Sequence, residues 1–290
     1  VYPRGAFFAE KRAARAASRL TYGSGGTVSG TKVEHLVSVW EKKSGIVLDE
    51  SQREALFRSL SSRISIITGG PGTGKTTLLR CMKFVLEKCG YSVNECAPTG
   101  KAARNMSKDA STVHRLLGLG RGNSTHGNPV ESDWLFSDEA SMEDIYLAAA
   151  KLDATAEGGA NLVIIGDSDQ LPSVGAGTVL SSLMESGKIP VSKLSLVHRT
   201  EKGGVLDFLE FMRRGGGTIS EFGISRKPCN GLCYLGDGNG ELGKNIVSVV
   251  SALASRGVPD SDIRVLVPMK KGEAGTVLLN RELQKLFNKR

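Results

Sequence analysis

The chain has 290 residues, with 38 Lys and Arg against 30 Asp and Glu for a net charge of +8, and 40% of it is apolar. That length suits one large domain or two modest ones, and no run reaches the ~18 uninterrupted apolar residues of a membrane helix, so no membrane partner is expected. The basic balance points only weakly to a polyanion, because a solvated basic surface accounts for the charge equally well.

In chain order, residues 6–20 read as a basic helix, with Lys11, Arg15 and Arg19 at four-residue spacing on one face. A Gly- and Ser-rich linker follows at 21–30. A second helix over 32–43 puts Val33, Leu36, Val37 and Trp40 on one stripe. Residues 1–46 are therefore expected as a helical preface. From 47 to 200, short apolar strands at 64–68, 92–97, 134–137, 162–166 and 191–196 alternate with helices at 51–60, 75–88, 101–108, 140–151 and 177–186. Strands of this kind, apolar throughout, belong to a parallel sheet covered on both faces, so the expected fold is α/β and doubly wound. Beyond 200 the pattern restarts: a helix at 205–213, a weak strand near 232–235, a helix at 242–255, a strand at 263–267 and a helix at 275–287. This reads as the opening of a second α/β unit over 201–290.

The most specific segment runs from Gly69 through Gly70, Pro71, Gly72, Thr73, Gly74, Lys75 and Thr76 to Thr77, and fits the pattern G-x-x-x-x-G-K-[ST] between a strand and a helix. Glycines there let backbone N–H groups turn inward around phosphate oxygens at a helix N-terminus. Lys75 would reach the β- and γ-phosphates, and the Thr76 hydroxyl would join a Mg²⁺ shell, which makes ATP and Mg²⁺ the expected cofactors. Asp138 and Glu139 end the 134–137 strand. The first carboxylate is expected to hold the metal and the second to deprotonate the attacking water. Gly166, Asp167, Ser168, Asp169 and Gln170 end the next strong strand, where a polar amide could sense the γ-phosphate. The five cysteines (Cys81, Cys89, Cys96, Cys229 and Cys233) are odd in number and suit a reduced, cytoplasmic protein; Cys229 and Cys233 lack a second pair for a zinc site.

Taken together these segments resemble the RecD-like superfamily 1 DNA helicases, the group containing the exodeoxyribonuclease V alpha subunit. Leu48, Asp49, Glu50, Ser51 and Gln52 are similar to the family's glutamine motif, which implies that Gln52 contacts adenine. The segment 97–104 resembles a motif that touches single-stranded DNA and implicates Pro98, Thr99, Lys101 and Arg104. The segment 111–118 resembles the Thr-x-His-Arg-Leu-Leu motif and implicates His114. Asp138, Glu139, Ala140, Ser141 and Met142 are similar to the hydrolysis motif. Residues 166–175 resemble the coupling motif, with Gln170 linking γ-phosphate to DNA. Arg199 stands where the family carries an arginine for transition-state charge. The resemblance implies a RecA-like first motor domain and the start of a second, with ATP between them and 5′ to 3′ movement on single-stranded DNA.

Three departures stand out. Ser137 occupies a position where an aliphatic residue is usual, His198 one where an aromatic is common, and nothing after Arg199 resembles the later helicase motifs. A short Gly-rich segment takes the place of the wedge hairpin expected between 118 and 131. The expectation is thus the N-terminal part of a helicase, starting at Val1 from a processed or fragment end, with partner subunits of any helicase–nuclease assembly unknown. The rival readings are a non-catalytic DNA-binding module derived from a helicase and the helicase part of a conjugative relaxase.

Overall fold

The computed structural model describes residues 3–23, 28, 30–120, 127–196, 204–213, 215, 232–233 and 241–288. Residues 1–200 form one compact unit and 201–290 a second.

The first unit opens with helices α1 (Arg4–Tyr22), α2 (Gly30–Ser44) and α3 (Glu50–Leu60), and strand β1 (Ile64–Gly69) follows. Then come α4 (Lys75–Lys88), β2 (Val93–Ala97), α5 (Gly100–Met106), β3 (Ser111–Thr112), α6 (Val113–Leu116) and β4 (Trp134–Ser137). A 3₁₀ turn (Ala140–Met142) precedes α7 (Ile145–Gly158), β5 (Asn161–Gly166), α8 (Val179–Glu185) and β6 (Val191–Leu194). The six strands lie in the order β3-β2-β4-β5-β1-β6, and every pair is parallel. This is the expected RecA-like α/β architecture.

Successive side chains of a strand point to opposite faces, and that alternation divides the core in two. Ile64, Ile66, Leu135, Leu162 and Ile164 share one cluster with α1, α7 and α8. Ile67, Trp134, Phe136, Val163 and Ile165 share the other with α2, α3 and α4. Because β1, β4 and β5 are buried along their whole length, they read as apolar runs without a polar face.

The two helices before residue 47 are integral to these cores. On α1, Ala6, Ala9, Ala13, Ala16, Ala17 and Leu20 form a buried stripe at helical spacing. Small side chains let α1 lie close along α7, and Arg12 pairs with Asp153 at 2.8 Å to fix the crossing. Lys11, Arg15 and Arg19 face solvent on the opposite side. On α2, Val33, Val37 and Trp40 enter the other core.

One helix starts later than expected. Instead of beginning at 140, the chain makes the 3₁₀ turn, and α7 begins at Ile145, where the Asp144 carboxylate accepts from the backbone N–H groups of Tyr146 and Leu147.

In the second unit α9 (Val205–Arg213), α10 (Leu242–Ser255) and α11 (Thr276–Phe287) form as expected, and α10 packs on α11 with Val250 and Leu279 buried. The expected strand at 263–267 is instead irregular, with Leu266 almost fully exposed. An extended segment becomes a strand only where a neighbour accepts its hydrogen bonds. The strand expected near 232–235 lies largely outside the described residues.

Candidate functional site

Three adjacent strands, β4, β5 and β1, send their C-terminal ends to one rim of the sheet. From β1 the loop runs through Gly72 and Gly74, both with φ of 81°, a left-handed backbone that glycine adopts without strain, into the N-terminus of α4. Lys75 Nζ donates to the carbonyls of Gly69 (2.5 Å) and Gly70 (2.9 Å), and Thr73 Oγ1 donates to Gly70 O at 2.9 Å. The loop is thereby curled around its own lysine.

Gln52 braces the loop from behind. It is buried; its Oε1 accepts from the Asp49 N–H in a capping box, and its Nε2 donates to Thr73 O at 3.1 Å. One side chain thus closes the start of α3 and holds the phosphate loop.

From β4 the chain passes into Asp138 and Glu139. The Asp138 N–H extends the sheet by donating to Cys96 O at 2.9 Å, and the Glu139 N–H donates to Asp138 Oδ1 at 2.8 Å. Glu139 has φ 54°, the one non-glycine residue with positive φ among those described. Such a backbone costs a residue with a Cβ roughly 1–2 kcal/mol and is typical of functional turns. Burial raises the Asp138 carboxyl above its ordinary range, partly offset by the Glu139 N–H and by the charge of Lys75. Glu139 is raised as well, first by burial, then by the Asp138 charge and more weakly by Asp167, against the pull of Lys75. Lys75 and the acidic pair therefore share one electrostatic site, in which burial disfavours both carboxylates and the lysine charge favours them.

The acid loop is anchored from below. Ser137 is fully buried, donates to Glu143 Oε1 at 3.1 Å and accepts from Lys151 Nζ at 2.7 Å, while Lys151 also pairs with Glu143 Oε2 at 2.6 Å. This triad ties the end of β4, the far side of the 3₁₀ turn and α7 to one another. Ser137, unusual in its sequence position, is thus a junction rather than a weakened strand residue.

From β5 come Asp167 and Gln170. Asp167 is buried, accepts from the Asp169 N–H at 3.1 Å and acts on Glu139 through its charge. At Gly166 a Cβ would stand 2.7 Å from the Leu180 side chain and 3.3 Å from Ser141 N, so glycine there makes room for α8 as well as for the acid loop beside the β5 exit. Gln170 lines a groove of about 1110 Å³ together with Pro98, Thr99 and His114. The Thr99 hydroxyl caps α5 by accepting from the Ala102 N–H at 3.2 Å. Lys101 and Arg104 are exposed on α5 and do not line the groove.

Residues 47–225 match the family model described as AAA domain. The chain belongs to the AAA domain family. It is similar to the ATP-dependent RecD2 DNA helicase of Deinococcus radiodurans, 35% identical over 254 residues that cover 85% of this chain and 34% of that protein. It is also similar to the RecBCD enzyme subunit RecD of Mycobacterium tuberculosis, 30% identical over 280 residues covering 81% of this chain and 48% of the relative. A probable conjugal transfer protein TraA of Sinorhizobium fredii is 27% identical over 189 residues, covering 64% of this chain and 17% of its own. The chain spans between about a third and a half of the length of the two RecD relatives.

An AAA domain binds nucleotide, usually with Mg²⁺, and the residues present fit that pair. Mg²⁺ takes one or two carboxylates, phosphate oxygens and water rather than a cage made of protein alone. Asp138 and Thr76 supply hard oxygen donors on the rim that carries the loop. No described helix is long and apolar enough to cross a membrane. Arg199, His198 and Cys229 lie outside the described residues, as do residues 121–126 of the segment between 118 and 131 where the wedge is expected. Sequence reasoning missed Asp167 as a third carboxylate of the site, although its place directly after Gly166 at a strand end was a usable signal. It also missed Glu143 and Lys151, for which a single position carries none.

Proposed function

We propose that this AAA domain is the first motor domain of a RecD-like, ATP-dependent DNA helicase that moves 5′ to 3′ on single-stranded DNA. The observation that carries the reading is the convergence on one sheet rim of the Lys75 loop, the Asp138–Glu139 pair and a groove holding Pro98, Thr99, His114 and Gln170. The loop amides from Gly70 to Thr77 would cradle the phosphates, Lys75 would neutralise the β- and γ-oxygens, and Gln52 would meet the adenine while bracing Thr73. Thr76 and Asp138 would hold Mg²⁺, which when bound supplies charge stabilisation at the γ-phosphate. Glu139 would take the proton of the attacking water; burial moves its carboxyl toward the range where a carboxylate is an effective base. Arg199 would meet the developing charge. Gln170, between the Asp167 loop and the groove, would transmit the state of the phosphate to DNA, and Lys101, Arg104 and His114 would track the backbone from the groove's edge. The chain would act in the cytoplasm, where buried Cys81 and Cys96, both pushed up to about 12 by burial, stay unreactive thiols.

The test is ATP turnover with and without single-stranded DNA, in wild type and in Glu139→Gln. The reading expects DNA-stimulated turnover that the variant loses by at least about 100-fold while still binding nucleotide. Turnover that ignores both DNA and the substitution would refute it. The likeness to conjugal transfer protein TraA supports a second reading, the helicase part of a relaxase. A DNA-nicking domain encoded ahead of residue 1 in the same gene would favour it.

A further inference from the structure

We infer that the N-terminal helix α1 is part of the DNA track, and that Phe8 on α1 and Tyr146 on α7 hold a strand of single-stranded DNA by stacking against its bases. This rests on the proposed DNA-binding function and adds to it a subsite that none of the sequence motifs contains.

Phe8 and Tyr146 line the same groove as Pro98, Thr99, His114 and Gln170. Phe8 is 57% exposed and Tyr146 49%, a large apolar exposure for two aromatic rings on well-formed helices. Both are rigidly mounted. Tyr146 lies in the first turn of α7, whose start Asp144 caps, and its ring rests on Gly5 of α1, where a Cβ would be 3.2 Å from the phenol oxygen. The Arg12–Asp153 pair fixes α1 to α7 one turn beyond Phe8. Aromatic rings held this way lose little freedom when a flat partner arrives.

The charges identify that partner. The two residues with formal charge that line the groove, Arg12 and Asp144, are both committed, one to Asp153 and the other to the cap of α7. The uncommitted cations stand outside: Lys101 and Arg104 on the helix that Thr99 caps, and Arg115 beside His114, all exposed. A ligand that fits has an anionic backbone for the edge and flat apolar faces for the interior, which describes single-stranded nucleic acid and not a duplex, whose bases are stacked on each other. A hydrophobic peptide would leave the cationic edge unmatched.

Binding of a fluorescent oligo-dT and of an abasic oligonucleotide of equal length tests this, using wild type, Phe8→Ala, Tyr146→Ala, the double variant, the conservative Phe8→Trp, and Lys101→Ala. Base–aromatic stacking predicts that each alanine variant weakens oligo-dT binding by about 5- to 100-fold, with Phe8→Trp close to wild type. Wild type should prefer oligo-dT over the abasic strand, and the double variant should lose that preference. Lys101→Ala should weaken both strands equally and flatten the salt dependence. Equal wild-type affinity for the two strands overturns the inference without any variant, as does an unchanged oligo-dT affinity in the folded double variant. Absence of any single-stranded DNA binding by wild type would instead overturn the proposed function itself.

Discussion

Lys151→Met is the sharpest probe of how the acid loop is held. The Lys151 side chain is 2% exposed and that of Glu143 3%, with Nζ making bonds of 2.6 Å to Glu143 Oε2 and 2.7 Å to Ser137 Oγ. Methionine fills nearly the same volume, so little of the effect comes from a cavity. What remains is a carboxylate stranded in the core, and breaking one partner of a buried pair costs about 3–5 kcal/mol. For a unit of this size 1 kcal/mol corresponds to roughly 2–4 °C, so the melting temperature should fall by around 10 °C. Removing both charges, as in Lys151→Met with Glu143→Leu, should recover stability to within about 1 kcal/mol of wild type, because a dry pair replaced by apolar groups is often neutral or favourable. The recovered double variant should still turn over ATP more slowly, since the far side of the 3₁₀ turn has lost its tie to β4 and α7. Thermal melts and denaturant titrations of the two variants settle the matter. A single variant within 1 kcal/mol of wild type, or a double variant as unstable as the single, would refute the account.

Two further outcomes follow from the site. Asp138 and Glu139 carry folded-state values raised above those of the unfolded chain, so the native state binds more protons than the unfolded one between the two values. Their contribution therefore declines as pH climbs from about 4 through the raised values. Without nucleotide or Mg²⁺, Glu139→Gln should melt higher than wild type at pH 8, with the difference shrinking toward pH 4; a lower melting temperature for the variant at pH 8 would contradict this. Gln52→Ala removes one arm of the capping box and the bond to Thr73 O. It should cost about 1–2 kcal/mol of stability and weaken nucleotide binding about 3- to 10-fold by calorimetry, and an unchanged affinity would sink the bracing role.

Legibility tracked the range of the interactions. The helix 75–88 and the strand 134–137 were read to the residue, because a phosphate loop sets the first turn of its helix and an apolar run bounded by Asp133 and Asp138 can only be a buried strand. The start of α7 was misjudged by five residues. An Ala-rich stretch has high helix propensity from residue 140, but the left-handed Glu139 and the 3₁₀ turn consume it, and the Asp144 cap was the overlooked sign. β3 has two residues and exists only by pairing with β2, which no periodicity can announce. On α1 the basic face is plain in the sequence, whereas the buried stripe is made of alanines, whose weak hydrophobicity hides a spacing that is the more informative signal. Lys151 resembles any surface lysine, and its partner Glu143 lies off the helix, so neither could be found from helical spacing.

The family model begins at residue 47, yet each sheet face takes one of its covers from upstream of that point. A chain trimmed to that boundary would bare Ile64, Ile66 and their neighbours along the length that α1 shields, a broad oily flank of the kind that drives self-association. Recombinant trimming should therefore yield insoluble material unless it keeps both leading helices. The stretch that the family model matches is shorter than the stretch that closes both cores.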